Sequence, residues 1–287
     1  MGLRFIGSLI VAALLSLIWI PVAGLTSLGS YAEAGPTLLL SSSGGVAQAG
    51  GGGVQTAGAT AIPRTRAGKP DLSGVWQVMN TAAWDIQDHS AQKGAPAGQG
   101  VVEGNDIPYQ PAALAKKKEN YEKRATADPE TKCYLPGVPR MTYMPFPFQM
   151  IQMPDQITVL YEYVHATRYI YTNGTQHPRG HIDWWMGDSR ARWEGDTLVV
   201  DLIHFNDQTW FDRAGNFHSD ALHVVERYLL VDRDHINYEV TIEDPKVFTR
   251  PWKMSMILYR HTEKNFQLLD YECYGFDFEK YYPYPGR

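Results

Sequence analysis

The sequence is short of cysteine, of charge of one sign and of catalytic signatures, and each shortage excludes something. Only two cysteines occur in 287 residues, Cys133 and Cys273. Neither opens a Cys-x-x-Cys-His run, so covalent c-type haem is excluded. Net charge is only -5, with Lys and Arg scattered, and nucleic-acid binding lacks the concentrated basic face it needs. There is no Gly-x-Ser-x-Gly elbow, no phosphate-binding glycine loop, no dinucleotide fingerprint and no His-Glu-x-x-His. Ser90-Ala-Gln-Lys93 matches Ser-x-x-Lys, but it stands in an irregular segment without a Ser-Asp-Asn or Lys-Thr-Gly partner. Ser189, in Gly-Asp-Ser-Arg, lacks the flanking glycine of an elbow.

What remains is ordinary globular material: 44% hydrophobic and 20% charged residues, enough core for one sizeable domain. Residues 1–34 read as a signal peptide or a membrane anchor. Arg4 precedes an apolar run from Phe5 to Ala23, and Ala32-Glu33-Ala34 fits a signal peptidase site. The run approaches the ~20 residues that span a bilayer, so a retained helix is the alternative. Either reading puts the remainder outside the cytoplasm, periplasmic or secreted. Residues 35–69, rich in Gly, Ser and Ala, read as a flexible linker. Residues 70–287 form the folded domain.

That domain reads as all-β. The chain's 35 aromatic residues (8 Trp, 17 Tyr, 10 Phe) almost all follow Val75, which suits a β-rich fold or an aromatic-lined pocket. The first strand is Asp71 to Val78, and Gly74-Val75-Trp76 resembles the opening motif of lipocalins and other calycins, in which the Trp plugs one end of a barrel. Any strand with a buried Trp is the plainer reading. Residues 80–110 lack periodicity and read as a long loop or insertion. Pro111 to Ala127 reads as one short helix, with Lys116-Lys117-Lys118 on a solvated face. β signals follow at Gln149–Met153, Gln156–Tyr163 and Thr167–Thr172, separated by Pro154-Asp155 and His165-Ala166. Gly187 to Phe211 centres on a hairpin that turns at Gly195-Asp196. Leu222–Asp232, Ile236–Glu243, Lys253–His261 and Phe266–Cys273 close the series. About nine or ten strands at hairpin spacing predict an antiparallel, calycin-like β-barrel.

The two cysteines, in an exported chain, are expected to pair. The bridge closes a loop of about 140 residues and contributes on the order of 4 to 5 kcal/mol if unstrained.

Several pieces together resemble a widespread family of secreted bacterial β-rich proteins. They are Cys133-Tyr-Leu-Pro-Gly-Val-Pro-Arg140, His177-Pro178, Trp185-Met-Gly-Asp-Ser-Arg190, Arg192-Trp-Glu-Gly-Asp-Thr-Leu-Val-Val-Asp201, His223-Val-Val-Glu-Arg227, Glu243-Asp-Pro245 and Pro251-Trp252. The resemblance spans about Pro70 to Cys273. The tail departs, with Tyr274-Gly-Phe-Asp in place of a His-Glu-Gly-Asn-Tyr run. It implies export and a β fold, and no established activity.

Candidate functional residues cluster about the central hairpin. Arg190, Arg192, His204, Asn206, Asp207, Trp210, Asp212 and His223 are expected on one rim, beside aromatics, as a ligand-binding set. A metal alternative draws on His177, His181, His204 and His223, with Asp183 or His218 able to join; such a set suits zinc, copper or iron. The plainer reading makes these loop residues turn formers and carbonyl partners. Asp188 adds a further acid or base. Along Leu222 to Val231 the alternation turns either Glu226 or Arg227 inward, where it needs a partner. Arg190 or Arg192 is expected for Glu226, and Asp201 or Glu162 for Arg227. Trp184, Trp185, Trp193, Trp210, Phe211 and Trp252 read as core and rim packing, or as a pocket lining for a flat apolar or sugar ligand.

Three function classes follow. The first is an exported binding protein holding a small apolar or amphipathic molecule in the barrel mouth. The second is an enzyme with a His/Asp site, with or without a divalent metal, on the hairpin rim. The third is an accessory subunit tethered to a membrane complex by a retained N-terminal helix.

Overall fold

The computed structural model describes residues 61–92 and 95–273, all within the unit Gln55–Arg287. The expected targeting segment 1–34 lies outside the described residues, as does most of the linker. No helix among the described residues is long and apolar enough to cross a membrane.

Nine strands close into a barrel in sequence order: β1 (Gly74–Val78), β2 (Phe148–Gln152), β3 (Gln156–Tyr161), β4 (Thr167–Tyr171), β5 (Asp188–Glu194), β6 (Thr197–Ile203), β7 (His223–Leu230), β8 (His235–Glu243) and β9 (Trp252–Arg260). Closure comes from β1, which pairs antiparallel with both β2 and β9, so no barrel edge is left open among the described residues. The barrel is not wholly antiparallel. β4 and β5 run parallel, with Ile170 opposite Ser189 and Tyr171 opposite Arg190. A tight hairpin cannot join parallel neighbours. The connection is the long segment 172–187, which carries the chain back before β5 starts.

Alternation explains which side chains fill the interior. Val224, Glu226, Tyr228 and Leu230 of β7, and Ile236, Tyr238, Val240 and Ile242 of β8, are all buried. At one end sits Trp76, fully buried, its indole N–H donating to the Leu72 carbonyl at 2.9 Å. The Arg260 guanidinium lies 4.1 Å over its ring. Gly74 makes this possible: its φ is +144°, and a Cβ there would meet the Arg260 Nη1 at 2.0 Å. The β5–β6 turn uses Gly195 at φ +60°.

The inward charge on β7 is Glu226, but its partner is neither Arg190 nor Arg192. Those two side chains lie on the outer face of β5, whereas Arg168 of β4 points inward and forks onto both Glu226 oxygens. The Tyr228 and Tyr238 hydroxyls donate to Glu226 Oε1 at 3.1 and 2.5 Å, and Arg168 Nε donates to Ser189 Oγ at 3.0 Å. The buried pair is thus enclosed by further hydrogen bonds, the condition under which a buried ion pair is tolerated. Arg227 faces out and pairs with Glu194 at 3.1 Å, not with Asp201 or Glu162.

The helix expected over Pro111–Ala127 forms with those bounds (α1) and buries only Ala113 and Asn120. It lies on the surface, with Lys116 and Lys123 reaching Glu119. The 80–110 segment is irregular as read, yet it buries Ala82, Ala83, Ile86, Val102 and Ile107. Ahead of β1, Arg64 forks onto Asp196 in the β5–β6 turn at 2.9 and 2.6 Å. The strand expected over Phe266–Cys273 does not form. Only Tyr271 makes a bridge, parallel to Tyr163, because β1 and β9 have already used both barrel edges.

Candidate functional site

The hairpin rim carries a chain of alternating acids and bases on the outer face of β5 to β8. Arg190 opposes Asp201 in the β5–β6 register, and His223 opposes Glu243 in the β7–β8 register. The 172–187 segment drops His177 between Asp188 and Asp201, with Nδ1 at 2.6 Å from Asp188 Oδ2 and Nε2 at 2.8 Å from Asp201 Oδ2. The other Asp201 oxygen meets His223 Nε2 at 2.8 Å, and His223 Nδ1 reaches Glu243 at 3.4 Å. Arg190 closes the opposite end on Asp188 at 2.7 and 2.9 Å and donates to Thr175 Oγ1. The Asp201 carboxylate raises the His223 imidazole above its ordinary value. The His223 hydrogen bond in turn holds Asp201 below the usual carboxylate range, outweighing partial burial, with His177 adding to it. Half-buried and linked end to end by hydrogen bonds, this chain is suited to holding or passing protons.

The other rim candidates scatter. His204, at φ +66°, turns its Nε2 to the Pro178 carbonyl at 2.9 Å, and its ring lies 6.3 Å from that of His177. Arg192 pairs with Glu194 at the surface. The side chains of Asn206 and Asp207 accept from Gln208. Trp210 bridges to Phe217. His181 is exposed, 3.3 Å from Asp183. His218 is buried between Thr209 Oγ1 and the Ser219 carbonyl, and burial lowers its pKa. Asp212 is fully buried and accepts from Ile86 N, Asn216 N and Asn216 Nδ2. Burial first, and nearby Asp85 second, push it up to about 7. It pins the 80–110 segment to the 209–216 loop.

A second polar group was not legible in the sequence. His165, Asp270 and Glu272 each present one ligand atom within 4.8 Å of the others, enough to coordinate a divalent metal ion. Among the described residues no other set of three His, Cys, Asp or Glu side chains does so. His165 Nε2 is 2.8 Å from Asp270 Oδ1, and Nδ1 is 3.9 Å from Glu272 Oε1. Ligand atoms held at ~2.1 Å by one ion stand roughly 3 to 4 Å apart, so small side-chain shifts suffice. His165 sits in the β3–β4 turn, where Val164 and His165 take φ of +48° and +51°. That conformation is uncommon for a β-branched or bulky residue. The carboxylates arrive from far along the chain, carried in by the expected disulfide: Cys133 and Cys273 are bonded, with Cα atoms 5.6 Å apart. Tyr271, between the two acids, stacks on Tyr163 and packs against Phe146.

Those two tyrosines also form one wall of a cavity of about 930 Å³ beneath α1, whose other walls include Trp84, Tyr121, Arg124 and Arg213. Behind it lies an ion-pair cluster. Fully buried Arg140 forks onto Asp128 at 2.8 and 2.9 Å and reaches Glu130 at 2.6 Å, while Arg213 forks onto Glu130 at 2.8 and 2.5 Å. Burial opposes ionisation of Glu130, but the two arginines outweigh it and hold its pKa low. The nearest sequence signals were the disulfide and the aromatic count. The 80–110 segment, expected as a long loop or insertion, supplies Trp84, Gln92 and Ala95 to this cavity.

Comparison of the chain with protein-family models, curated proteins and solved structures gives no match.

Proposed function

We propose that the protein is an exported, calycin-like barrel acting as a metal-dependent enzyme, with a divalent ion held on its outer surface by His165, Asp270 and Glu272. The observation that carries this is the three-ligand group itself. One imidazole with two carboxylates suits zinc or iron. Three exposed protein ligands leave coordination positions for water or substrate, the arrangement of catalytic rather than structural zinc sites. A bound ion there supplies Lewis-acid polarisation or a water of lowered pKa. The chain positions the ligands by two devices, the left-handed β3–β4 turn and the disulfide beside Glu272.

Export is supported by the apolar run from Phe5 to Ala23, the Ala32-Glu33-Ala34 site and the disulfide, a bond that persists in oxidising compartments. Membership of the secreted β-rich family belongs to the same proposal, as does the calycin reading, supported by Trp76 at the barrel's end beneath Arg260. Scattered basic residues argue against a nucleic-acid partner, and a membrane partner requires retention of the N-terminal apolar run. Native mass spectrometry of the protein from periplasm tests the metal. The expected result is one divalent ion per chain, lost in His165→Ala. A wild-type chain that takes up no zinc, copper or iron from excess contradicts it.

A second reading, binding of a small amphipathic molecule without transforming it, is favoured by one observation, the cavity beneath α1. The barrel interior is filled by buried side chains, so such a ligand sits beside the barrel in this reading.

A further inference from the structure

The cavity beneath α1 is within the 300–1,000 Å³ typical of small-molecule sites, at about 930 Å³. Its aromatic lining comes from Trp84, Tyr121, Tyr163 and Tyr271. Such a lining offers either ring faces for a ligand cation or flat surfaces for a planar ligand. The structure decides between them. The Arg213 guanidinium lies over Trp84, 5.1 Å from the ring centroid, and that of Arg124 lies 4.0 Å over Tyr121. Tyr163 and Tyr271 stack on each other at 5.7 Å. A cationic ligand therefore meets two protein cations in the cavity, whereas a planar aromatic ring can stack on a guanidinium plane as well as on a side-chain ring.

The charges select further. Asp128 and Glu130 are bound to Arg140 and Arg213, so this inner cluster of two acids and two bases is balanced. Arg124 differs. Among the described residues its guanidinium makes one hydrogen bond, from Nη1 to the Tyr121 carbonyl at 2.6 Å, and no carboxylate pairs with it. It shares the cavity-facing side of α1 with Tyr121 and Ala125, one turn of the helix. A guanidinium with most of its donors uncommitted, beside aromatic walls, is the natural fork for a carboxylate.

We propose that this cavity binds a planar aromatic carboxylate, with Arg124 receiving its acid group. The inference rests on the small-molecule reading and not on the metal. Isothermal titration of the full chain with 2-naphthoate and with its neutral analogue, 2-naphthalenemethanol, tests it, alongside Arg124→Gln and Ala125→Trp. The expected result is one naphthoate per chain, bound at least tenfold more tightly than the alcohol. Arg124→Gln should weaken the acid by about tenfold or more, the scale of one charge-assisted hydrogen bond, and leave the alcohol unchanged. Ala125→Trp, which fills the cavity from the helix side, should abolish both. Circular dichroism of each variant confirms folding; α1 is a surface helix and tolerates both changes. Equal binding of acid and alcohol, or acid binding indifferent to Arg124→Gln, overturns the carboxylate assignment while the small-molecule reading stands. Binding of neither probe overturns both.

Discussion

Two polar networks occupy the same strands and face opposite ways. Inside the barrel, Arg168 and Glu226 are bound to each other and enclosed by Ser189, Tyr228 and Tyr238, all buried. Outside, Arg190, Asp188, His177, Asp201, His223 and Glu243 form a linear chain that is half open to water. Glu226 and His223 stand three residues apart on β7, and the two-residue period of a strand sends them to opposite faces. In the inner network burial opposes the charge of Arg168, and Glu226 outweighs it and holds the guanidinium well above its ordinary value. The outer network includes His223, which the Asp201 carboxylate raises above its ordinary value. One set of strands therefore delivers a buried ion pair inward and a part-exposed histidine–carboxylate chain outward.

The largest expected effect breaks the inner network. Arg168→Met leaves Glu226 buried without its countercharge, and such a loss costs about 3 to 5 kcal/mol. Urea denaturation should show it as a large drop in midpoint. Arg168→Met combined with Glu226→Gln should recover part of the loss, because the amide oxygen still accepts from Tyr228 and Tyr238. A single variant as stable as the wild type would mean the pair is dispensable and the contrast with the outer chain is lost.

This inner network shows where sequence reading stops. Alternation along β7 put Glu226 or Arg227 inside, and Glu226 is inside. The sequence offers Arg190 or Arg192, on the hairpin, as its partner. Arg168 is on β4, and only barrel closure, with the parallel β4–β5 pairing, brings it across. The same limit explains the metal-capable group. His165 was read as a turn between strands, and Asp270 and Glu272 lie over 100 residues further on, where a strand was expected. Local signals located the strands, the helix at Pro111–Ala127 and the cysteine pair, since periodicity, proline position and cysteine count are local or global properties of the chain. Contacts between remote loops leave no such trace. The rim candidates divide for a similar reason. His177, Arg190 and His223 converge because register fixes β5 to β8, whereas Asp212 turns inward with its loop to hold the 80–110 segment.

Removing the disulfide comes next. Cys133→Ser with Cys273→Ser should lower stability by about 2 to 5 kcal/mol, measured by the same denaturation. It should also weaken metal retention, because Asp270 and Glu272 lose the bond that holds their segment beside His165. Undiminished metal uptake by this variant would separate the tail's position from the site.

The smallest effect belongs to the outer chain. The folded-state pKa of His223 is raised above its unfolded value near 6.5, so its contribution is fully present below about 6.5 and is lost as pH rises through the higher folded value. Asp201 is depressed, so its contribution is present above about 3.8 and is lost as pH falls through its lower folded value. With both groups about one-third exposed, the His223 contribution should not exceed about 1 kcal/mol. The measurement is the stability difference between wild type and His223→Gln from pH 5 to 9. Taking the difference cancels Asp212, whose raised pKa also makes stability fall as pH rises toward 7. A difference that grows with pH would contradict the assigned hydrogen bond to Asp201.

In the proposed reading the functional ion sits at the β3–β4 turn and not on the hairpin rim. Titration of zinc into metal-stripped wild type, His165→Ala and His177→Ala compares the two places directly. The expected result is one zinc per chain for the wild type and for His177→Ala, and loss of that site in His165→Ala. Zinc binding that survives His165→Ala and disappears in His177→Ala would contradict it.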